Sequence, residues 1–293
     1  MTISTTARPL ETALADHLFS SGKAEKVLVE LAKYQNEDGG FGNGLELDFS
    51  LPSSSPMATS HAFHYLDQME TTDVAMVERA IRFLEATYDS GRHGWISMPK
   101  EVNDHLHAPW WHFDVEAGGT AIDRHWGNPS ADIIGTLYTH REMVKELDVD
   151  ELTEHAISRF EGIDRYESQH EAYCYIRLHN ALPNGLAERL AVPITEAVSQ
   201  LLCVDVSKWN EYCPRPLDFV PSRDAERFGV LDKDIETNLT YIIGLLEKDG
   251  RIEPHWSYGS DDPHWEEVRR RWTGTLTLRA LQALKSFGRL PSV

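Results

Sequence analysis

The chain has 293 residues, 47 of them acidic and 28 basic, for a formal net charge of −19. Hydrophobic residues make up 41%, enough to bury a sizeable core in one large domain or two small ones. The acidic balance argues against nucleic-acid binding, which needs clustered Lys and Arg, and against docking on anionic membranes; no apolar run approaches the roughly 20 residues of a membrane span.

The stretch Met1 to Leu18 has neither a basic start nor an apolar h-region, so it does not read as a signal peptide. The three cysteines, Cys174, Cys203 and Cys213, form no paired framework or close metal knuckle. The expectation is a soluble cytoplasmic protein without a metal or other cofactor.

Along the chain, apolar residues recur at helical spacing first in Leu10–Leu18 and Val27–Tyr34. Ser55-Pro56 then supplies a capping hydroxyl before a proline at the first helical position, and Ala58, Ala62, Tyr65, Leu66 and Met69 share the face that follows. Val74–Leu84 is the next match. Residues 88–128 then run without clear periodicity until Asn128-Pro129, a second start of the same form. Both starts carry an alanine two residues past the proline (Ala58, Ala131) and a tyrosine nine past it (Tyr65, Tyr138), a faint internal repeat. Helical spacing returns in Leu152–Phe160, in Tyr175–Leu182 and in Leu186, Leu190, Ile194, Ala197 and Leu201, where Pro193 implies a kink or a late start. Residues 204–230 break the rhythm again. Ile235, Leu239, Ile242, Ile243 and Leu246 share one face, a polar insert covers 249–264, and Leu276–Phe287 closes the series. The class is all-α with about ten helices. The irregular stretches are rich in Trp, which disordered segments lack, so they read as ordered loops.

One turn carries a family resemblance. Gln35-Asn36-Glu37-Asp38-Gly39-Gly40-Phe41-Gly42 resembles the Q-x-x-D-G-G-[FW] turn of terpenoid cyclases and protein prenyltransferases, with degenerate echoes in Asp89–Trp95 and in Asp249-Gly250 leading to His255-Trp256. The string from Gly39 through Leu45–Asp48 to Thr59, and Val102–Trp111, are similar to bacterial proteins described as prenyltransferase-like, a group with no assigned reaction. The resemblance implies a single α/α toroid of paired helices spanning residues 1–293, with catalytic groups on the rim where inner helices start.

On that rim the candidate catalytic carboxylates are Glu46 and Asp48, just ahead of the helix that begins at Pro56, and Asp132, one turn into the helix after Asn128-Pro129. Glu46 and Asp48, read as an extended segment, point to opposite faces, so one of them would face a cavity. The alternative is that all three complement helix dipoles. The candidate ligand wall is Asn103, His105, His107, Trp110, Trp111 and Asp114, followed by His125 and Trp126 and, near the C-terminus, His255 and Trp256. Flat Trp faces beside directional Asn and His groups are the mixture of small-molecule pockets, although the same loops could simply pack their tryptophans on the helical rim. The His105-x-His107 pair with a nearby carboxylate is compatible with a zinc or iron site, but Pro109 and the two tryptophans between the histidines and Asp114 match no established metal spacing.

Several templates are absent. Asp148-Val149-Asp150-Glu151 departs from D-x-D-D at its last position, Asp261-Asp262 is followed at the fifth position by Trp265 rather than Asp, and no G-x-S-x-G, Walker or H-E-x-x-H string occurs. Three readings stay open: an enzyme of the cyclase or transferase kind acting on an isoprenoid-like molecule, a carbohydrate-active hydrolase, lyase or epimerase using paired carboxylates, and a non-catalytic binding module. The expected partner is a small-molecule ligand; oligomeric state is not legible.

Overall fold

The computed structural model describes residues 7–69, 73–259 and 264–290. The Asp261-Asp262-Pro263 segment lies outside these. The regular structure of the described residues is helical, with four isolated bridges and no strand. In chain order the helices are α1 (Pro9–Phe19), α2 (Ala24–Ala32), α3 (Pro56–Leu66), α4 (Val74–Ala86), α5 (Gly127–Thr139), α6 (Val149–Glu161), α7 (Gln169–Ala181), α8 (Asn184–Leu201), α9 (Pro216–Phe219), α10 (Asp232–Asp249) and α11 (Trp265–Ser286). No helix among the described residues is long and apolar enough to cross a membrane. The chain divides into two compact units, residues 28–197 and residues 1–27 with 198–293, the divisions falling inside α2 and α8.

In the unit of residues 28–197, α3, α5 and α7 follow one another in space, with α4 against α3 and α6 against α5. Ser55 caps α3 as its sequence implies, its hydroxyl accepting from the Ala58 amide at 3.1 Å with Pro56 in the first turn. The second start departs from that form. Asn128 is non-helical and Pro129 opens the regular part of α5, but Asn128 caps nothing: its Oδ1 accepts from the Cys174 thiol at 3.6 Å. The contacts of Gly127 with Glu171 and Tyr175, of Asn128 with Cys174, and of Gly135 with Leu178 climb both helices in the same order, so α5 and α7 run parallel. A Cβ on Gly135 would stand 3.1 Å from the Leu178 Cα, so this glycine is what lets the two backbones approach. Helix α8 is continuous from Asn184 with Pro193 inside it, rather than starting late.

In the other unit α1 packs on α11, and α10 on α9 and α11. Helix α11 begins at Trp265, well before the apolar pattern at Leu276. Its extra turns bury Val268 alone among apolar side chains, with Thr273, Gly274 and Thr275, small or polar residues that apolar periodicity does not register. Gly274 takes the chain at Ala7, whose Cα would lie 2.5 Å from an added Cβ.

Candidate functional site

The Q-x-x-D-G-G-F turn is fully occupied in holding helices together. Gln35 Nε2 donates to the carbonyls of Gly39 and Met76, each at 2.9 Å, and its Oε1 accepts from Arg79 on α4. Asp38 Oδ1 accepts from the Gly40 amide at 3.0 Å and the Ser54 hydroxyl at 2.7 Å, binding the turn to the approach of α3. Gly39 sits at φ +91°, and a Cβ there would meet the Arg79 carbonyl oxygen at 2.4 Å. Phe41 is fully buried, a contribution of about 2 kcal/mol, and its amide donates to Thr59 Oγ1 at 2.9 Å. The echo at residues 89–95 repeats the device: Asp89 bridges to Gly94, Trp95 is fully buried, and its amide donates to Ser130 Oγ on α5 at 3.0 Å. Each aromatic turn thus fastens to a hydroxyl on the first turn or so of α3 or α5.

Ahead of α3, Glu46 and Asp48 lie in a bend and turn rather than an extended segment, and both are buried. The Asp48 amide donates to Glu46 Oε2 at 2.6 Å, so the two carboxylates are not divided between opposite faces by strand alternation. Residues 106–111 lie alongside this turn. The Ala108 amide donates to the Asp48 carbonyl at 2.7 Å, the Ser50 amide to the Leu106 carbonyl at 2.8 Å, and Phe49 bridges to His107. Trp111 packs edge-on against Phe49, ring centroids 5.4 Å apart, with its indole N–H buried and unpartnered. Through backbone bonds and Phe49 the structure thus sets the Asp48 turn alongside the segment that carries His107 and Trp111, where Trp110 is half-buried.

The rest of that loop is occupied locally. Asn103 brackets Phe113 with two backbone bonds of 2.8 Å. The His105 carbonyl accepts from His107 Nδ1 at 2.7 Å, while the His107 and His112 rings stack at 5.5 Å. Asp114 is exposed and caps its own turn to Glu116 and Ala117. His125 is half-buried, 3.7 Å from Glu171 Oε2. Trp126 is buried, donating to the Arg92 carbonyl at 3.1 Å, with the Arg159 guanidinium 5.2 Å from its ring centre. Asp123, not singled out by sequence, organises this loop: its carboxylate accepts from the Ser97 amide and hydroxyl and from the Thr120 amide and hydroxyl, all within 2.7–2.8 Å.

Asp132 has different surroundings. It is buried on α5, and its two oxygens are held from either side at 2.6 Å, one by His64 Nε2 on α3 and the other by Arg177 Nε on α7. Arg177 also reaches Asp67 at 2.9 Å, at the end of α3. Burial pushes the Asp132 pKa up, but the His64 and Arg177 charges outweigh it and hold the carboxyl far below the usual range. The carboxylate is therefore an anion, with one oxygen on His64 and the other on Arg177. The His61 ring lies 5.0 Å from that of His64, and His64 is about one quarter exposed, so its ring is reachable from outside. Buried beside Asp132, the Cys174 thiol has its pKa pushed well up by desolvation and then by the carboxylate charge, and it stays protonated. Sequence reasoning found Asp132 and missed its partners. The signal for His64 was a His pair three apart on a helix, and for Arg177 a charge inside an otherwise apolar helical pattern.

His255 and Trp256 belong to the other unit. Burial, then the positive Arg215, lowers the His255 pKa to about 4, and its Nε2 is buried without a partner. Trp256 stands edge-on between Tyr212 and Trp272, at 5.7 and 5.1 Å. Among the described residues no group of three or more His, Cys, Asp or Glu side chains is placed to hold a metal ion. No family model matches the chain, and no curated protein or solved structure matches it either.

Proposed function

We propose that this chain is a small-molecule enzyme with the α/α-toroid arrangement its aromatic turns suggest, and that its chemistry is general acid–base catalysis on a polar, hydroxylated substrate of the carbohydrate kind. The observation that carries the proposal is the buried Asp132 carboxylate fixed between His64 and Arg177 at 2.6 Å on each side. In this reading His64 takes or gives the proton at the substrate, Asp132 orients it, and Arg177 keeps Asp132 ionised. Asp48 is the second candidate carboxylate, on the turn that runs alongside the His107–Trp111 segment.

Two features favour a polar substrate over an isoprenoid one. A carboxyl held far down by two cations is a poor proton donor to an alkene, so Asp132 suits a supporting role and not the initiating acid of a cyclase. The nearby guanidiniums are also committed, Arg177 to Asp132 and Asp67 and Arg92 to the Asp123 carbonyl, which leaves them poorly placed to grip a diphosphate.

The test is a thermal-shift screen of the wild type and His64→Ala. The panel holds mono- and oligosaccharides including uronates, and isoprenoid alcohols and diphosphates with magnesium. Stabilisation by a sugar, with turnover of that sugar lost in His64→Ala but binding retained, is the expected result. Stabilisation confined to isoprenoid diphosphates, or unchanged turnover in His64→Ala, overturns it. Asp48→Asn is expected to lose turnover or binding while keeping the melting temperature.

A further inference from the structure

We propose that Cys203 and Cys213 are a reversible dithiol–disulfide site that closes the 203–213 loop. Sequence spacing shows no pairing here, but the fold makes one available. After α8 the chain turns back on itself, and the Cys203 amide donates to the Pro214 carbonyl at 2.8 Å, fastening one cysteine to the residue that follows the other. The loop interior holds the turn closed: Trp209 Nε1 donates to the Cys203 carbonyl at 2.9 Å, and the Cys213 thiol points to the Lys208 carbonyl at 3.4 Å. Both thiols are unbonded and half-buried rather than sealed in the core as Cys174 is, the Cys203 thiol directed to the Asp205 carbonyl at 3.8 Å. A neck already closed by a backbone bond asks little further movement of the two sulfurs.

The exchange takes two steps. One of the two thiolates attacks a sulfur of a low-molecular-weight disulfide such as oxidised glutathione, a mixed disulfide forms, and the first glutathione leaves and takes the proton. The thiolate of the other cysteine then attacks the protein sulfur of that mixed disulfide and expels the second glutathione. Two electrons pass from the two cysteines to the glutathione disulfide, and both protons end on reduced glutathione. The bond would fix the loop that carries Tyr212, one residue from Cys213, on which Trp256 packs edge-on.

The experiment equilibrates the full chain in buffers of graded reduced-to-oxidised glutathione ratio, then alkylates and measures intact and peptide masses. Expected at the oxidising end are the loss of two hydrogens, protection of two of the three thiols, a peptide linking residues 203 and 213, and a melting temperature higher by about 5 °C that dithiothreitol reverses. Cys203→Ser and Cys213→Ser each abolish all of these, while Cys174→Ser leaves them intact. Retention of all alkylatable thiols at the most oxidising ratio overturns the proposal, as does stable glutathionylation of both cysteines or a disulfide between two chains.

Discussion

Asp132→Asn is the sharpest probe of the buried charge cluster. The side chain is 4% exposed, and its two oxygens accept from His64 and Arg177 at 2.6 Å each. Removing one partner of a buried pair leaves the other charges uncompensated, at about 3–5 kcal/mol. Here the low end applies, since Asn keeps one acceptor for Arg177 and Asp67 still takes the other face of its guanidinium at 2.9 Å. A loss of about 3 kcal/mol corresponds to a fall of about 5 °C in melting temperature for a chain of this size. Because the folded carboxyl is held far below its ordinary value, the unfolded chain binds the extra proton first as pH falls, from about pH 4 downward. The contribution is therefore complete above about pH 5 and is lost as pH drops through the folded value. Urea unfolding of wild type and variant at pH 7 and pH 3 reads both predictions. A gap under 1 kcal/mol at pH 7, or one that widens at pH 3, would refute the reasoning. A double-mutant cycle with Arg177→Met should give a coupling of about 1 kcal/mol or more.

Three further expectations concern the turns and the second unit. Gly39→Ala places a methyl 2.4 Å from a backbone oxygen at φ +91° and should cost about 3 kcal/mol by chemical denaturation, whereas Gly118→Ala, at φ +71° in open space, should cost about 1 kcal/mol; equal costs would remove the steric argument. Thr59→Val strips the acceptor from the buried Phe41 amide and should cost about 1–3 kcal/mol, and Ser130→Ala should do the same to Trp95; melting curves indistinguishable from wild type would show the amides are satisfied otherwise. His255, lowered to about 4 by burial and Arg215, should titrate in that region by NMR, and since the unfolded imidazole protonates at higher pH, stability should fall as pH drops from about 6.5 to 4, a dependence that His255→Phe reduces. A midpoint near 6.5 would contradict it.

The helices were legible wherever an apolar stripe marks a buried face, as on α10, and illegible where that face is made of other residues. Helix α11 hides its first turns because Thr273, Gly274, Thr275 and Thr277 are buried in place of Leu or Ile. Asn128 was read as a cap from its position before Pro129, but a cap also requires the side chain to turn toward the helix, and Cys174 holds it the other way. The candidate site was legible in half. Asp132 could be found because it follows a helix start, and Asp48 with His107 and Trp111 because loops of that chemistry stand out. His64 and Arg177 left only weak marks in the sequence, a His pair three apart and a charge in an apolar pattern, since what makes them matter is a convergence of α3 and α7 on one carboxylate that no spacing within a single helix encodes. The Cys203–Cys213 pairing was hidden for the same reason, being set by a backbone closure between distant positions.

The aromatic turns bear on how far a motif carries chemistry. Every polar group of Gln35 and one oxygen of Asp38 are engaged with backbone or neighbouring side chains, and the glycines around them face carbonyl oxygens and a Phe ring at distances that leave no room for a ligand atom. The same closure recurs at Trp95 through Ser130. A sequence that must set successive helix starts at a fixed spacing would need these residues whatever reaction it performed, so the resemblance they carry speaks to architecture and not to substrate. Charge placement gives the opposite case. Stability alone does not favour burying a carboxylate between a histidine and an arginine when apolar residues of the same volume would pack as well or better. That cost attaches to Asp132, His64 and Arg177 and not to the turns, which is why the chemistry is assigned to them.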